Sequence, residues 1–247
     1  MLNARYLVLS AVLFAATAAA QQGGDRQAQI LYAYQTEDAN GLANLVQDLA
    51  TRVQADEADP ALRYHLAHAQ YRRALLAGRA AGGVAQSALS DCIDELKPAV
   101  SQDVKSVEAL VLQSACYAEL AQHRKLAAVL LRTRCRERLA AALKVAPRNP
   151  RAVYISSLIG LSEAKPGTAE RQQAFAQLEL AAKLFEATSA TSVDVPGWGH
   201  AEAYLALGRE LQARGDHLNA RNWIEKSLIV APDYKAAQRQ LLLLTRP

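Results

Sequence analysis

The sequence is poor in several residue types and patterns that commonly reveal what a protein does. Aromatic residues make up only 6% of the chain, and the alternating polar and apolar runs typical of strands are nearly absent. No continuous run of lysine and arginine occurs, and 28 basic against 24 acidic residues leave a formal net charge of +4. This balance argues against nucleic acid as a partner. With 51% hydrophobic residues, the chain has ample material for a helical core.

The chain also lacks the signatures of common catalytic and metal sites. It contains no Gly-x-Ser-x-Gly, no His-Glu-x-x-His and no calcium-binding loop. Ser162–Lys165 matches the Ser-x-x-Lys spelling of penicillin-recognising enzymes, but the companion Lys-Thr-Gly is missing, so we attribute the match to chance. His65 and His68 lie three residues apart without a further ligand in the next turn, which favours packing over metal binding. We therefore predict a non-catalytic protein that holds neither a metal nor a cofactor.

Cysteine is scarce, and its placement leaves two interpretations open. Cys92, Cys116 and Cys135 each lie on a predicted helix, at or beside a packing position, and therefore fit buried small apolar residues. The alternative is one disulfide that joins Cys116 to either Cys92 or Cys135 and leaves the third thiol free. No Cys-x-x-Cys occurs, so a thiol oxidoreductase is not indicated.

The one marked hydrophobic run lies at the N terminus. An arginine precedes the apolar run Tyr6–Ala16, and Ala18–Ala20 fits the small-residue cleavage site of a secretory signal peptide. The run is shorter than the roughly 20 residues that span a bilayer, although retention as an N-terminal anchor is an alternative. We expect an exported protein, periplasmic or secreted, without a membrane span after cleavage. Its predicted divisions are a signal peptide at residues 1–20, a flexible linker at 21–27 and a helical domain at 28–247.

The clearest pattern is a unit of 34 residues from Ala201 to Tyr234. Its first half carries apolar and small residues at helical spacing, an Arg-Gly-Asp turn follows, and the second half repeats the spacing before a closing proline. Small residues on both helices let the backbones approach, and larger ones interdigitate around them. The residues predicted to pack in or close this unit are Tyr204, Leu207, Gly208, Leu211, Ala220, Ile224 and Pro232.

This unit resembles a tetratricopeptide repeat (TPR), a helix–turn–helix unit of 34 residues. Weaker copies of the spacing precede it over most of the chain, and a single unit cannot bury its own apolar face. The resemblance implies an all-α solenoid of about four TPR-like repeats with end-capping helices. Pro98 and Pro147 are expected to end the second helices of two repeats.

The resemblance also implies a concave groove, lined by the first helices, that takes a peptide or a partner helix. The groove positions of a TPR can be assigned to this chain by their place within each repeat, which we call repeat phase. On this assignment three of the four repeats have an arginine in the groove. The groove lacks the Lys/Asn pattern with which TPR clamps hold a C-terminal carboxylate. We therefore predict an adaptor that binds an apolar segment with acidic flanks. The residues predicted to contact this partner are Arg72, Arg73, Arg151, Tyr154, Glu202, Leu205, Arg209 and Gln212.

A second functional interpretation starts from Trp198. Glycines flank this residue in Pro196–Gly199, an insertion before the best repeat. If the loop presents the ring to a ligand, the protein is a cell-envelope carrier or a small-ligand-binding protein. The other interpretation is that Trp198 fills the gap between the third and fourth repeats.

Overall fold

A computed structural model describes residues 25–78, 80–102, 106–189 and 197–245. These residues form eleven α-helices and a short 3-10 turn, and no β-strand occurs among them. The predicted signal peptide, residues 1–20, lies outside the described residues. Residues 25–27, which were expected in a flexible linker, are already helical and belong to α1.

The helices follow one another in pairs, which confirms the predicted all-α repeat solenoid. Two N-terminal helices precede four pairs, a 3-10 turn at Lys125–Ala127 joins the two helices of the second pair, and one helix ends the array. The order is α1 (25–35), α2 (Ala39–Ala55), then α3 (Pro60–Ala77) with α4 (Gly82–Gln102), α5 (Val107–His123) with α6 (Ala128–Val145), α7 (Pro150–Glu163) with α8 (Ala169–Ser189), α9 (His200–Ala213) with α10 (His217–Val230), and α11 (Lys235–Thr245).

Side-chain caps fix where several helices begin. Asp59 accepts a hydrogen bond from the backbone N–H of Ala61 at 2.8 Å, and Asn149 accepts one from Ala152 at 3.0 Å. A proline follows each of these two caps, because the first helical position needs no N–H donor. The same capping role belongs, in α2 and α10, to Asp38 and Asp216.

Glycine allows the two helices of a pair to approach closely. A Cβ on Gly208 of α9 would lie 2.6 Å from Cγ1 of Ile224 and 3.0 Å from the backbone oxygen of Ala220, both on α10. Gly160 of α7 has the same role, because a Cβ there would lie 2.8 Å from the Cβ of Ala174 on α8. A larger residue at either glycine would force its two helices apart.

α4 does not end at Pro98, contrary to the prediction, but continues to Gln102. Proline inside a helix removes one backbone hydrogen bond and costs about 3 kcal/mol. Leu96 and Val100, on either side of the proline, are both buried in the main hydrophobic core. Their burial favours continuation of the helix over a break at Pro98.

A disulfide joins consecutive repeats. Cys92 of α4 and Cys116 of α5 are bonded, with their Cα atoms 6.6 Å apart, which is one of the two pairings that the sequence left open. Cys135 of α6 keeps a free, buried thiol that lies 3.3 Å from Oγ of Ser114. Since the bond spans 24 residues, the chain-entropy argument gives it a stabilising contribution of about 3 kcal/mol.

The two ends of the array meet. Tyr34 of α1 packs against Tyr234, just before α11, with ring centroids 6.1 Å apart. Glu37, just after α1, forms an ion pair with Arg239 of α11. The solenoid therefore curves until its first and last helices touch, and its concave face is enclosed at both ends.

Candidate functional site

The concave face contains a partly open cavity of about 440 Å³. The first helices of the four pairs form its walls, while α1 and the turn before α11 each contribute a tyrosine. A volume of this size falls within the range of small-molecule and side-chain pockets. Its lining is aromatic and aliphatic with a few charged groups, and includes Tyr34, Tyr71, Arg72, Leu75, Glu119, Tyr154, Leu158, Trp198, Glu202, Leu205, Arg209, Glu210 and Tyr234.

A buried ion pair crosses the inner end of the cavity. Nη2 of Arg72 on α3 lies 2.5 Å from Oε1 of Glu202 on α9, and the two side chains are only 2% and 8% exposed. The Arg72 guanidinium also lies over the ring of Tyr34, 4.4 Å from its centroid. Because opposite charges neutralise each other here, this end of the cavity has hydrogen-bonding groups but little net charge.

Glu202 has a second role that links the cavity to the start of α9. Its Oε2 accepts a hydrogen bond from the backbone N–H of Gly199 at 3.0 Å, which caps the helix. Gly199 has φ of 97°, and a Cβ there would lie 2.8 Å from the ring of Phe185. Glycine is therefore required at this position, and one carboxylate holds both the helix start and Arg72.

Trp198 is buried rather than presented to solvent. Its side chain is 1% exposed, and its indole Nε1 donates a hydrogen bond to the hydroxyl of Tyr64 on α3 at 2.8 Å. The ring lies 5.9 Å from that of His68 and 6.4 Å from that of Tyr71. Trp198 thus fills space between the first and fourth pairs, and one side of it reaches the cavity.

The buried His68 holds the Arg72 side chain in place by a hydrogen bond. Its Nε2 accepts a hydrogen bond from Nε of Arg72 at 3.0 Å, so a neutral His68 carries its proton on Nδ1. Burial, followed by the nearby charge of Arg72, holds the pKa of His68 well below its ordinary value. The imidazole therefore stays neutral at physiological pH.

Arg151 lies outside the cavity lining and is also paired. Its Nε donates to Oε2 of Glu108 at 2.7 Å and its Nη2 to Oε1 of Glu108 at 3.1 Å, which joins α7 to α5. Nδ2 of Asn149 donates to the same carboxylate at 2.7 Å. The side chain of Arg151 is 3% exposed, so its guanidinium connects neighbouring repeats and does not face a ligand.

The tyrosines of the cavity are neutral phenols. Burial raises the pKa of Tyr34, Tyr71, Tyr154 and Tyr234 above the ordinary value, and the Glu202 carboxylate adds to the rise in each. Their hydroxyls can therefore donate hydrogen bonds at physiological pH. Their rings supply large, stiff apolar surfaces of the kind that anchor bound side chains.

The outer rim of the cavity is more polar. Nε of Arg209 donates to Oε1 of Gln240 on α11 at 3.1 Å, and Nε2 of Gln240 donates to Oε1 of Gln212 at 2.5 Å. The carboxylate of Glu210 accepts two hydrogen bonds, of 2.8 and 2.9 Å, from Nη2 of Arg171 on α8. α11 thus covers the end of α9 and limits how far a bound segment can extend.

The structure places the predicted contact residues in two groups. The cavity lining includes Arg72, Tyr154, Trp198, Glu202, Leu205 and Arg209, whereas Arg73, Arg151 and Gln212 lie outside it. The expectation that arginines would offer free charges to acidic flanks is wrong for Arg72 and Arg151, because each is buried against a carboxylate of the same chain. Trp198 is buried from solvent but lines the cavity, so its presentation to a ligand stays a prediction.

Sequence reasoning missed the tyrosines that the end helices contribute. Tyr34 lies in α1, before the first pair, and Tyr234 is the last residue of the 34-residue unit, after its second helix, so repeat phase assigns neither a position on the concave face. A signal for Tyr34 was available in its helical spacing from Ile30, but nothing local indicates that α1 meets the far end of the array.

Among solved structures, the chain is similar over most of its length to a thermophilic TPR protein of Thermus thermophilus. The similarity has a TM-score of 0.61 and covers 89% of this chain and 98% of that chain, at 17% sequence identity. The chain has the tetratricopeptide-repeat fold. No protein-family model matches the sequence, and no curated protein matches it. In this TPR array, α3, α5, α7 and α9 are the first helices that line the concave face.

The described residues of this TPR array contain neither a metal-binding cluster nor a helix that could cross a membrane. No group of three or more histidine, cysteine, aspartate or glutamate side chains within that part of the chain is arranged to hold a metal ion. None of the helices described above is both long enough and apolar enough to span a bilayer.

Proposed function

We propose that the protein is a non-catalytic scaffold that binds a partner protein by taking a short apolar segment into its concave cavity. The observation that carries this proposal is the partly open cavity of about 440 Å³ lined by four tyrosines. TPR arrays are helical scaffolds whose concave faces suit peptide recognition. Aromatic pockets that are shielded from water are where partner side chains contribute most to affinity.

The closure of the array limits the length of the bound segment. An open TPR groove accommodates an extended peptide along several repeats, but here Tyr34 and Tyr234 close the ends. The segment is therefore short, with one or two aromatic or aliphatic side chains inside the cavity. Tyrosine hydroxyls and Arg209 at the rim supply hydrogen bonds to its backbone.

The experiment that tests this proposal combines a photocrosslinking residue with a cavity-filling substitution. Benzoylphenylalanine at Leu158, on the cavity wall, should crosslink one cell-envelope protein, whereas the same residue at the exposed Leu218 should not. Against the purified partner, Leu205→Trp, which fills the cavity, should lower affinity by at least about tenfold. Leu180→Trp, on an exposed face of α8, is the matched control. Equal affinity of both tryptophan variants would contradict the proposal.

A second candidate function is binding of a small apolar or aromatic ligand. The same enclosure favours it, because a cavity closed at both ends retains a small molecule as readily as a side chain. Native mass spectrometry of the intact protein, purified without detergent, would detect a bound molecule by its added mass. A ligand displaced in Leu205→Trp would favour the carrier over the scaffold.

We also propose that the protein is exported. The support is the apolar N-terminal run with its small-residue cleavage site, together with the Cys92–Cys116 disulfide, since disulfides persist mainly in oxidising compartments. The N terminus of the protein recovered from the periplasm should begin at Gln21. Recovery from the cytoplasm with residues 1–20 attached would overturn this proposal.

A further inference from the structure

The corner between α5 and α6 carries an apolar patch on the outer surface of the array. Leu126 in the 3-10 turn is fully exposed, and Val129 and Leu130 in the first turn of α6 are 77% and 59% exposed. Their spacing of three and four residues places them on one face of the chain, while Ala128 and Cys135, on the opposite face, are buried. Three adjacent exposed aliphatic side chains commonly mark an interaction surface.

Basic residues surround this patch. Between residues 124 and 138 the chain has five arginines and one lysine but a single acid, Glu137, whereas the chain as a whole is nearly balanced. Arg136 is neutralised by Glu163 at 2.9 Å, and Arg134 lies 3.8 Å from Glu137. Lys125 and Arg132 are exposed, and neither forms an ion pair with any residue in the described part of the chain.

The patch continues into a groove of about 830 Å³ between α4 and α6. Lys97, Arg134 and Arg138 line it, and no carboxylate of the described chain does. Leu130 belongs to both the groove and the apolar patch. The two features therefore form one continuous surface, which we call the basic corner.

The floor of the groove offers unused hydrogen-bonding groups. Gln113 is 1% exposed, and its Nε2 donates to the backbone oxygen of Ile93 at 3.0 Å. Its buried Oε1 and the buried Nε of Arg138 have no partner among the described residues. An arginine donor suits a phosphate oxygen, and an amide acceptor suits a neighbouring hydroxyl.

We propose that the basic corner binds the surface of a membrane that contains anionic phospholipids. Leu126, Val129 and Leu130 enter between the headgroups, and the surrounding cations contact lipid phosphates. A lipid layer fits this surface better than an acidic protein does, because acyl chains accept protruding side chains without a matching hollow. Each basic residue near an anionic membrane strengthens binding by about fivefold, and each buried leucine by about tenfold or more.

This interaction is independent of the concave cavity. The basic corner lies on α4, α6 and the turn before α6, with Gln113 and Tyr117 of α5 beneath it, and it shares no lining residue with the cavity. The Cys92–Cys116 bond and the Gln113 hydrogen bond fix α4 against α5, so the groove between α4 and α6 has a fixed floor. The protein can therefore hold a membrane and a concave-face occupant at the same time.

The test is cosedimentation with vesicles of the chain from Gln21 onward, which contains every described residue. Vesicles of equal parts phosphatidylglycerol and phosphatidylcholine should pull the protein down, less so at high salt, and pure phosphatidylcholine should not. Leu126→Ser with Leu130→Ser should weaken binding by at least about tenfold. The matched control is the same change at two exposed aliphatic residues of α10, Leu218 and Ile229, where binding should not change.

A second pair of variants tests the charges. Lys125→Glu with Arg132→Glu should weaken binding to anionic vesicles by at least about 25-fold, whereas Lys165→Glu with Lys183→Glu changes the net charge equally and should have a smaller effect. Circular dichroism checks that each variant is folded. No binding to anionic vesicles, equal binding to phosphatidylcholine, or equal losses in the test and control variants would overturn the proposal.

Discussion

Arginine has opposite roles on the two sides of this array. On the concave side, Arg72 is 2% exposed and paired with Glu202, and it connects the first repeat to the fourth. On the convex side, Arg132 is exposed and forms no ion pair with a described residue. The residue type is the same, so the role of each arginine depends on whether a carboxylate of the same chain pairs with its guanidinium. Buried pairs hold the structure together, and unpaired exposed cations remain available for an external anion.

The largest expected effect comes from breaking the buried pair. Arg72→Ala leaves the Glu202 carboxylate buried without its counter-charge, and we expect a loss of about 3–5 kcal/mol in the free energy of unfolding. Arg132→Ala, on the exposed side, should change it by less than about 0.5 kcal/mol. Urea unfolding of both variants measures the contrast. Similar losses in the two variants would show that the comparison is wrong.

A double substitution sharpens the interpretation of this result. Arg72→Met with Glu202→Gln removes both charges, keeps similar side-chain volumes and preserves an acceptor for the N–H of Gly199. Because replacing a buried pair by neutral groups is often close to neutral, the double variant should recover most of the stability that Arg72→Ala loses. Failure to recover would mean that the guanidinium stabilises mainly through Tyr34 and His68.

The second effect concerns the convex side, where the disulfide fixes the floor of the groove. Replacing both Cys92 and Cys116 by alanine should lower the free energy of unfolding by about 3 kcal/mol, because the unfolded chain gains freedom. Cys135→Ala, which removes a free buried thiol, should cost about 1 kcal/mol. Urea unfolding without reducing agent gives both values. If dithiothreitol leaves the wild-type midpoint unchanged, the bond contributes nothing to stability.

The third effect compares two glycines with positive φ. Gly199 has φ of 97° with Phe185 in contact, whereas Gly215 has φ of 83° and open space where a Cβ would lie. Gly215→Ala should cost about 1–2 kcal/mol for the backbone conformation alone. Gly199→Ala carries the same cost and about 1–3 kcal/mol more for the overlap with Phe185. Thermal unfolding of the two variants measures the difference, and equal losses would exclude a steric role for Phe185.

Most of the fold was predictable because its signals are local. Asp59 before Pro60, Asn149 before Pro150 and the small residue Gly208 each specify a helix start or a helix crossing within one repeat. Repeat phase then placed five of its eight expected contact residues on a common cavity. The position of a residue within its repeat does not specify the angle between consecutive repeats. It therefore could not show which distant repeats contact each other.

The parts that were missed depend on that curvature. Arg72 and Glu202 are 130 residues apart in the chain, and Glu37 and Arg239 are 202 apart. No pattern within a repeat indicates that these charges neutralise each other. In the sequence, a buried and paired arginine therefore could not be distinguished from one that faces a ligand. The basic corner was missed for another reason: its arginines alternate with other residues, and only the winding of α6 gathers them with Lys125.

The smallest effect is the pH dependence of stability that the buried His68 causes. The folded pKa of His68 lies below its unfolded value of about 6.5, so the unfolded chain binds more protons as pH falls below that value. Stability is therefore present above about pH 6.5, and each pH unit below it removes about 1.4 kcal/mol until the folded pKa is reached. His68→Phe should reduce the slope of unfolding free energy against pH by this amount, although the loss of the Arg72 contact lowers stability at every pH. An unchanged slope in His68→Phe relative to the unsubstituted protein would contradict a buried neutral His68.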